Sequence, residues 1–119
     1  MIDIKFSRNK SLSTIKLTIK GHAGAADKGN DLICSAVSFA AYCISKNISD
    51  LYEVGAFKKE PKIELEEGNA VIACTPTAQA YRDVYMIYLV MQTGLELYAQ
   101  RFPEYIKVTS FVSGSTASK

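Results

Sequence analysis

Between Pro76 and Pro103 the apolar residues Tyr81, Val84, Tyr88, Met91, Leu95, Tyr98 and Phe102 step by three and four. That spacing predicts a helix over residues 78–101. Pro76 stops the strand before it, Thr77 is placed to cap its first turn, and Pro103 ends it. Met86, Ile87, Leu89, Val90 and Leu97 carry apolar surface around the rest of the cylinder. A helix apolar nearly all round needs cover on more than one side. A sheet covers one side. The rest falls to a first helix and its loops, or to a second copy of the chain. The excess of apolar surface makes a homodimer through this helix the expectation.

The remainder of the chain supplies the sheet. "IDIKF" at 2–6 and "IKLTI" at 15–19 alternate apolar and polar residues across the polar stretch "SRNKSLS", which reads as a hairpin. "PKIELEEGNAVIACTP" reads as a second hairpin turning at Gly68-Asn69, with its return strand at 70–74. Ile33, Val37, Ala40, Ala41, Ile44 and Ile48 recur at helical spacing and place a first helix at 32–50, with Asp31 at its N-cap. "YIKVTSFV" gives a last strand, and residues 113–119 read as a flexible tail. The order is ββαββαβ. It predicts an α+β, two-layer fold with a mainly antiparallel sheet and two helices packed on one face. With 119 residues, 48% of them hydrophobic, the chain can bury one core, so residues 1–112 are expected to form a single domain.

Composition narrows the function. A net charge of +2 without a clustered basic footprint argues against direct nucleic-acid binding, and Lys58, Lys59 and Lys62 read as solvated surface. The three cysteines, Cys34, Cys43 and Cys74, form no CxxC pair, and a single histidine makes a zinc site improbable, so no metal or cofactor is expected. "MIDIKFSRNK" lacks the apolar core of a signal peptide, and the run "VYMIYLVM" is too short to span a bilayer. A reducing cytoplasm, with no membrane partner, is the expected setting.

One segment resists a purely structural account. "GHAGAADKGNDLICSAVS", residues 21–38, holds the only histidine, His22, and reaches Cys34 through Gly21, Gly24 and Gly29. Cys34 falls in the first turn after the Asp31 cap, where unpaired N–H groups favour a thiolate, the reactive form of cysteine. On the helical wheel it sits at the edge of the apolar stripe, with Ser38 one turn on. His22 follows the second strand directly and can approach the same helix start. An imidazole there can take the thiol proton and later protonate a leaving amine. Glycines permit the backbone conformations that a loop between them needs. Taken singly, each feature has a plainer account: a core cysteine, a structural histidine, an ordinary loop. Cys43 in mid-helix and Cys74 in a strand fit the packing role. Together, the cap, helix start, histidine and glycine-bearing loop favour nucleophilic catalysis. A thiol redox sensor using Cys34 and a non-catalytic binding module are the alternatives. The sensor lacks a resolving thiol in phase with Cys34.

"GHAG", the glycine-bearing loop, Asp31, "IC" and "AVS" resemble the signature of the ribosomal-processing cysteine proteases. The length and the ββαββαβ order extend the resemblance over nearly the whole chain. It implies a cytoplasmic, homodimeric endopeptidase that removes the N-terminal extension of large-subunit ribosomal protein twenty-seven, cutting after an aromatic pair. It makes Cys34 the nucleophile and His22 the general base and acid. Ser38 supports the site from the next turn and Asp31 shapes the helix start. The loop 23–30, with Gly21, Gly24 and Gly29, acts as a lid over the substrate.

Overall fold

A computed structural model describes residues 1–22 and 32–114. The elements are β1 (Ile2–Asn9), β2 (Thr14–Lys20), α1 (Leu32–Glu53), β3 (Lys62–Glu66), β4 (Asn69–Cys74), α2 (Tyr81–Arg101) and β5 (Ile106–Ser113). The strands form one sheet in the order β3-β4-β2-β1-β5. β1–β2, β2–β4 and β3–β4 pair antiparallel, and β1–β5 pair parallel. The expected α+β fold, with both helices on one face, is the one adopted.

Strand alternation sends one set of side chains to the helices. Ile2, Ile4 and Phe6 of β1, Ile15, Leu17 and Ile19 of β2, and Ala70, Ile72 and Cys74 of β4 are all buried. The register sets Phe6 beside Leu17 and Leu17 beside Ile72, so these residues form continuous rows. Ile33, Val37, Ala40, Ala41, Ile44 and Ile48 of α1 close over them, with Val84, Tyr88 and Leu95 of α2. Burying each Ile or Leu contributes about 1.5–3 kcal/mol. By length and composition α1 is apolar enough to cross a membrane, whereas the run weighed in the sequence, "VYMIYLVM", lies in α2. The most apolar stripe of α1 lies against the sheet, as in the core helix of a globular domain.

Several boundaries differ from the sequence expectation. β1 runs through Ser7, Arg8 and Asn9, and the turn is confined to 10–13, where the Asn9 side-chain oxygen accepts from the Leu12 N–H at 3.1 Å. α2 begins at Tyr81, not at 78. Thr77 does not cap it: the Ala80 N–H donates to the Thr77 hydroxyl and carbonyl, at 3.3 and 3.1 Å, which closes a separate turn ahead of the helix. The N-cap position belongs to Ala80, with no side-chain hydrogen bond. Ser113, expected in the tail, is the last residue of β5, and its carbonyl accepts from the Lys10 N–H at 2.9 Å. The rest of the tail, 115–119, lies outside the described residues.

Candidate active site

The site lies at the end of the sheet where β2 leaves it. β2 ends at Lys20, and Gly21 turns the chain with φ +99°. A Cβ at Gly21 would collide with the Met1 carbonyl, so only glycine permits this close crossing of β1. The Gly21 N–H donates to the Gly68 carbonyl at 2.9 Å, tying the exit of β2 to the β3–β4 turn. His22 follows, exposed, with its ring lying on that turn. A Cβ built at Gly68 would stand 2.7 Å from Nε2 of His22, and Gly68 itself has φ +74°. Gly68 thus serves two ends: its conformation suits the hairpin turn, and its missing side chain leaves room for the imidazole.

Cys34 is the third residue of α1 and is half-buried at the edge of its core stripe, as the helical wheel placed it. Ser38, one turn on, is exposed. A cleft of about 380 Å³ receives Gly21, His22, Cys34 and Ser38 in one lining. Its other walls are Ile2 and Ile19 of the sheet, Val37, Ala41 and Tyr42 of α1, and the hairpin residues 65–70. Asp31, Gly24, Gly29 and the loop 23–30 lie outside the described residues. Sequence reasoning missed the hairpin wall and Tyr42. The Gly68-Asn69 turn was legible, but its place beneath His22 depends on the pairing of β2 with β4, which is non-local.

The other two thiols are differently placed. Cys74 is buried, its Sγ 3.5 Å from the Tyr88 hydroxyl, which in turn donates to the Ile72 carbonyl at 3.3 Å. Burial pushes the Cys74 thiol up to about 11, against a smaller downward pull from its hydrogen bond to Tyr88. Cys43 is half-buried in mid-helix. Among the described residues, no group of three His, Cys, Asp or Glu side chains could hold a metal ion.

A thiol and an imidazole on one cleft can exchange a proton and so generate a nucleophile beside a base. Known proteins share this architecture. The structure of the ribosomal processing protease Prp from Staphylococcus aureus, in complex with a covalently linked product peptide, aligns with TM-score 0.69 at 17% identity, covering 93% of this chain and 100% of that one. The same S. aureus protease in complex with a substrate peptide aligns with TM-score 0.56 at 16% identity, covering 93% and 100%. SMU.848 from Streptococcus mutans aligns with TM-score 0.62 at 21% identity, covering 95% and 96%. At such identities the likeness concerns the fold. No curated protein sequence matches the chain. The family model for cysteine protease Prp matches residues 1–107. That match runs from the first strand into the last, through every element that lines the cleft, and the chain belongs to the Prp family of cysteine proteases.

Proposed function

We propose that this protease removes the N-terminal extension of a ribosomal protein, with Cys34 as nucleophile and His22 as general base and acid. The observation that carries the assignment is the shared cleft, which gathers an exposed imidazole from the end of β2 and a half-buried thiol from the first turn of α1. The Cys34 thiol gives its proton to His22, and Sγ bonds to the carbonyl carbon of the scissile peptide. The C–N bond breaks as the imidazolium returns that proton to the leaving amine. Water then hydrolyses the thioester, releasing the carboxylate product and the thiol. The N-terminal end of α1 favours the thiolate, and its backbone N–H groups suit the developing oxyanion. Ser38 sits at the cleft wall beside Cys34.

The ribosomal substrate is supported by the S. aureus relative, a ribosomal processing protease solved with a substrate peptide. Large-subunit ribosomal protein twenty-seven, cut after an aromatic pair in the cytoplasm, is the specific reading. Incubating the protein with a peptide carrying an aromatic pair, followed by mass spectrometry, tests it. A single cut after the pair is expected, and an intact peptide rules the reading out.

The same proposal includes a homodimer through α2. Met86, Val90 and Leu97 form an exposed apolar stripe on that helix, with Val90 61% exposed, whereas Ile87 and Leu89 are already half-buried within the protomer. Light scattering at micromolar concentration should give twice the mass of one chain, and Val90→Glu should give a monomer.

A further inference from the structure

Because β1 runs on to Asn9, Arg8 lies inside the strand. Alternation sets it on the face of Ile4 and Phe6, the side that meets the helices. A half-buried charge on a core-facing row needs partners. The guanidinium lies over the Tyr85 ring of α2, 4.2 Å from its centroid, with Nη1 3.5 Å from the Tyr81 hydroxyl. Tyr85 in turn stacks with Tyr81, the two ring centroids 6.5 Å apart. Stacking uses the face of a guanidinium, whereas its five N–H donors lie in the plane and seek acceptors. The contact to Tyr81 is long, and no carboxylate among the described residues forms an ion pair with Arg8. Most of its donor capacity is therefore unused by the protein.

Arg8 lines a second cavity, of about 370 Å³, between α2 and the ends of β1 and β5. This cavity shares no residue with the cleft of His22 and Cys34. Ile15, in its wall, is near the start of β2, whereas His22 follows the far end of that strand. Phe6, Ile15 and Tyr88 are buried and give it apolar walls. Ser110 and Val112 of β5, the register partners of Phe6 and Arg8, are exposed at its edge. The lining holds two cationic residues, Arg8 and Lys16, and no Asp or Glu. Glu96 bonds to Gln92 at 3.2 Å but is not part of that lining.

We propose that this cavity binds a small organic anion, with its carboxylate or phosphate on the Arg8 guanidinium and its apolar body against Phe6, Ile15 and Tyr88. Small-molecule sites are typically about 300–1,000 Å³, mostly apolar, with a few convergent polar groups. The cavity has that size and make-up. An arginine fork matches an oxyanion with two parallel hydrogen bonds. Tyr85 holds the guanidinium before a ligand arrives, which lowers the ordering cost of binding. The Ser110 hydroxyl can add a further donor. A cationic ligand would meet Arg8 and Lys16, and a neutral one would leave the guanidinium unpaired. Met86, Val90 and Leu97 lie outside the lining, so the site does not depend on the proposed homodimer. Binding is read without cleavage, so it does not depend on the protease reading either.

The test titrates phenyl phosphate, phenylacetate, inorganic phosphate and benzyl alcohol into the full chain and follows amide chemical shifts by NMR. Phenyl phosphate or phenylacetate should shift the amides of Gln92, Ser110 and Val112. The tighter of the two tells whether the site takes a phosphate or a carboxylate. Benzyl alcohol lacks the charge and inorganic phosphate lacks the ring, so each should bind at least about tenfold more weakly. Arg8→Gln should weaken the tighter probe by about tenfold or more, the scale of a charged hydrogen bond. That variant also loses the stacking on Tyr85. Ser110→Glu keeps Arg8 in place, sets a carboxylate at the edge of the cavity and should lower affinity by a similar factor. Thermal melting checks that both variants fold. No shift in wild type at millimolar concentration overturns the proposal, as do shifts centred on His22 and Cys34 or binding that survives both substitutions. Inorganic phosphate binding as tightly as phenyl phosphate would mean an adventitious ion only, and would overturn it as well.

Discussion

Cys34 and Cys74 carry the same thiol in opposite surroundings. Cys74 ends β4 beneath α2, buried, with the Tyr88 hydroxyl at 3.5 Å and its ionisation pushed up to about 11. Cys34 begins α1 at the mouth of a cleft, half-buried, on the same lining as an imidazole. Desolvation penalises the thiolate at the first site, whereas a helix start favours it at the second. On the proposed mechanism, reactivity is a matter of where the helix and strand ends fall, since the side-chain chemistry is identical.

The contrast breaks most sharply at Cys34. Cys34→Ala should abolish peptide cleavage, a loss on the order of 10⁴-fold or more for removal of a nucleophile, while the thermal midpoint stays close to wild type because the residue sits at the core's edge. Cys74→Ala should leave turnover within a fewfold and lower stability instead. Retained cleavage in Cys34→Ala would transfer the chemistry to another group.

A smaller loss is expected at His22. Its ring is exposed on the β3–β4 turn, and removing a general base costs typically about 10²–10⁴-fold. His22→Ala should therefore slow turnover by that factor and also slow alkylation of Cys34 by iodoacetamide at neutral pH. In the wild type, alkylation should reach Cys34 before Cys43 and Cys74. Equal labelling of all three thiols would mean that the helix start and imidazole do not activate Cys34.

Gly68 tests the platform rather than the chemistry. A Cβ there would stand 2.7 Å from His22 Nε2, so Gly68→Ala must displace the ring. A misplacement of about 1 Å in a catalytic group can cost about 10²-fold. Turnover should fall by roughly 10- to 100-fold. The positive φ adds a strain cost of about 1 kcal/mol to stability. Gly55 is the control: it too has positive φ, at +81°, but open space lies where its Cβ would go. Gly55→Ala should carry the strain without the loss of turnover.

These positions also show what the sequence makes legible. The place of Cys34 at a helix start was readable because helix starts are local: an apolar stripe and a thiol at its edge suffice. The inward rows of β1, β2 and β4 were readable from alternation alone. Gly68 was readable as a turn but not as the seat of His22, because that contact follows from the β2–β4 register, 47 residues apart in the Gly21–Gly68 bond. Leu65, in the edge strand β3, is exposed, and this was hidden for a related reason, since alternation gives the face of a strand but not how far the helices reach across it. Thr77 misled because the same hydroxyl that caps a helix can close a separate turn ahead of one. On α2 the periodicity marked Val84, Tyr88 and Leu95 correctly as core, but it could not separate Leu89, half-buried within the protomer, from Val90, which is exposed.

The mildest effect concerns pH and the buried member of the pair. An unfolded cysteine ionises near 8.5, whereas folded Cys74 holds its proton up to about 11. Between those values the unfolded chain releases a proton that the folded chain retains, so rising pH favours unfolding. The stabilising contribution is fully present below about pH 8.5 and is lost as pH climbs toward 11. One proton corresponds to a slope of at most about 1.4 kcal/mol per pH unit. Burial raises the Tyr88 hydroxyl as well, and its share enters from about pH 9, since an unfolded tyrosine is half ionised near 10. The window from about pH 7.5 to 9 therefore isolates the thiol. Urea unfolding across that window should show wild-type stability falling with pH, and Cys74→Ala should show a shallower fall from a lower starting value. Cys34→Ala should keep most of the wild-type slope, because the thiol it lacks is the one at the open cleft. Equal slopes in wild type and Cys74→Ala would mean that the thiol under Tyr88 ionises as readily folded as unfolded, and the contrast between the two cysteines would then rest on the nucleophile's surroundings alone.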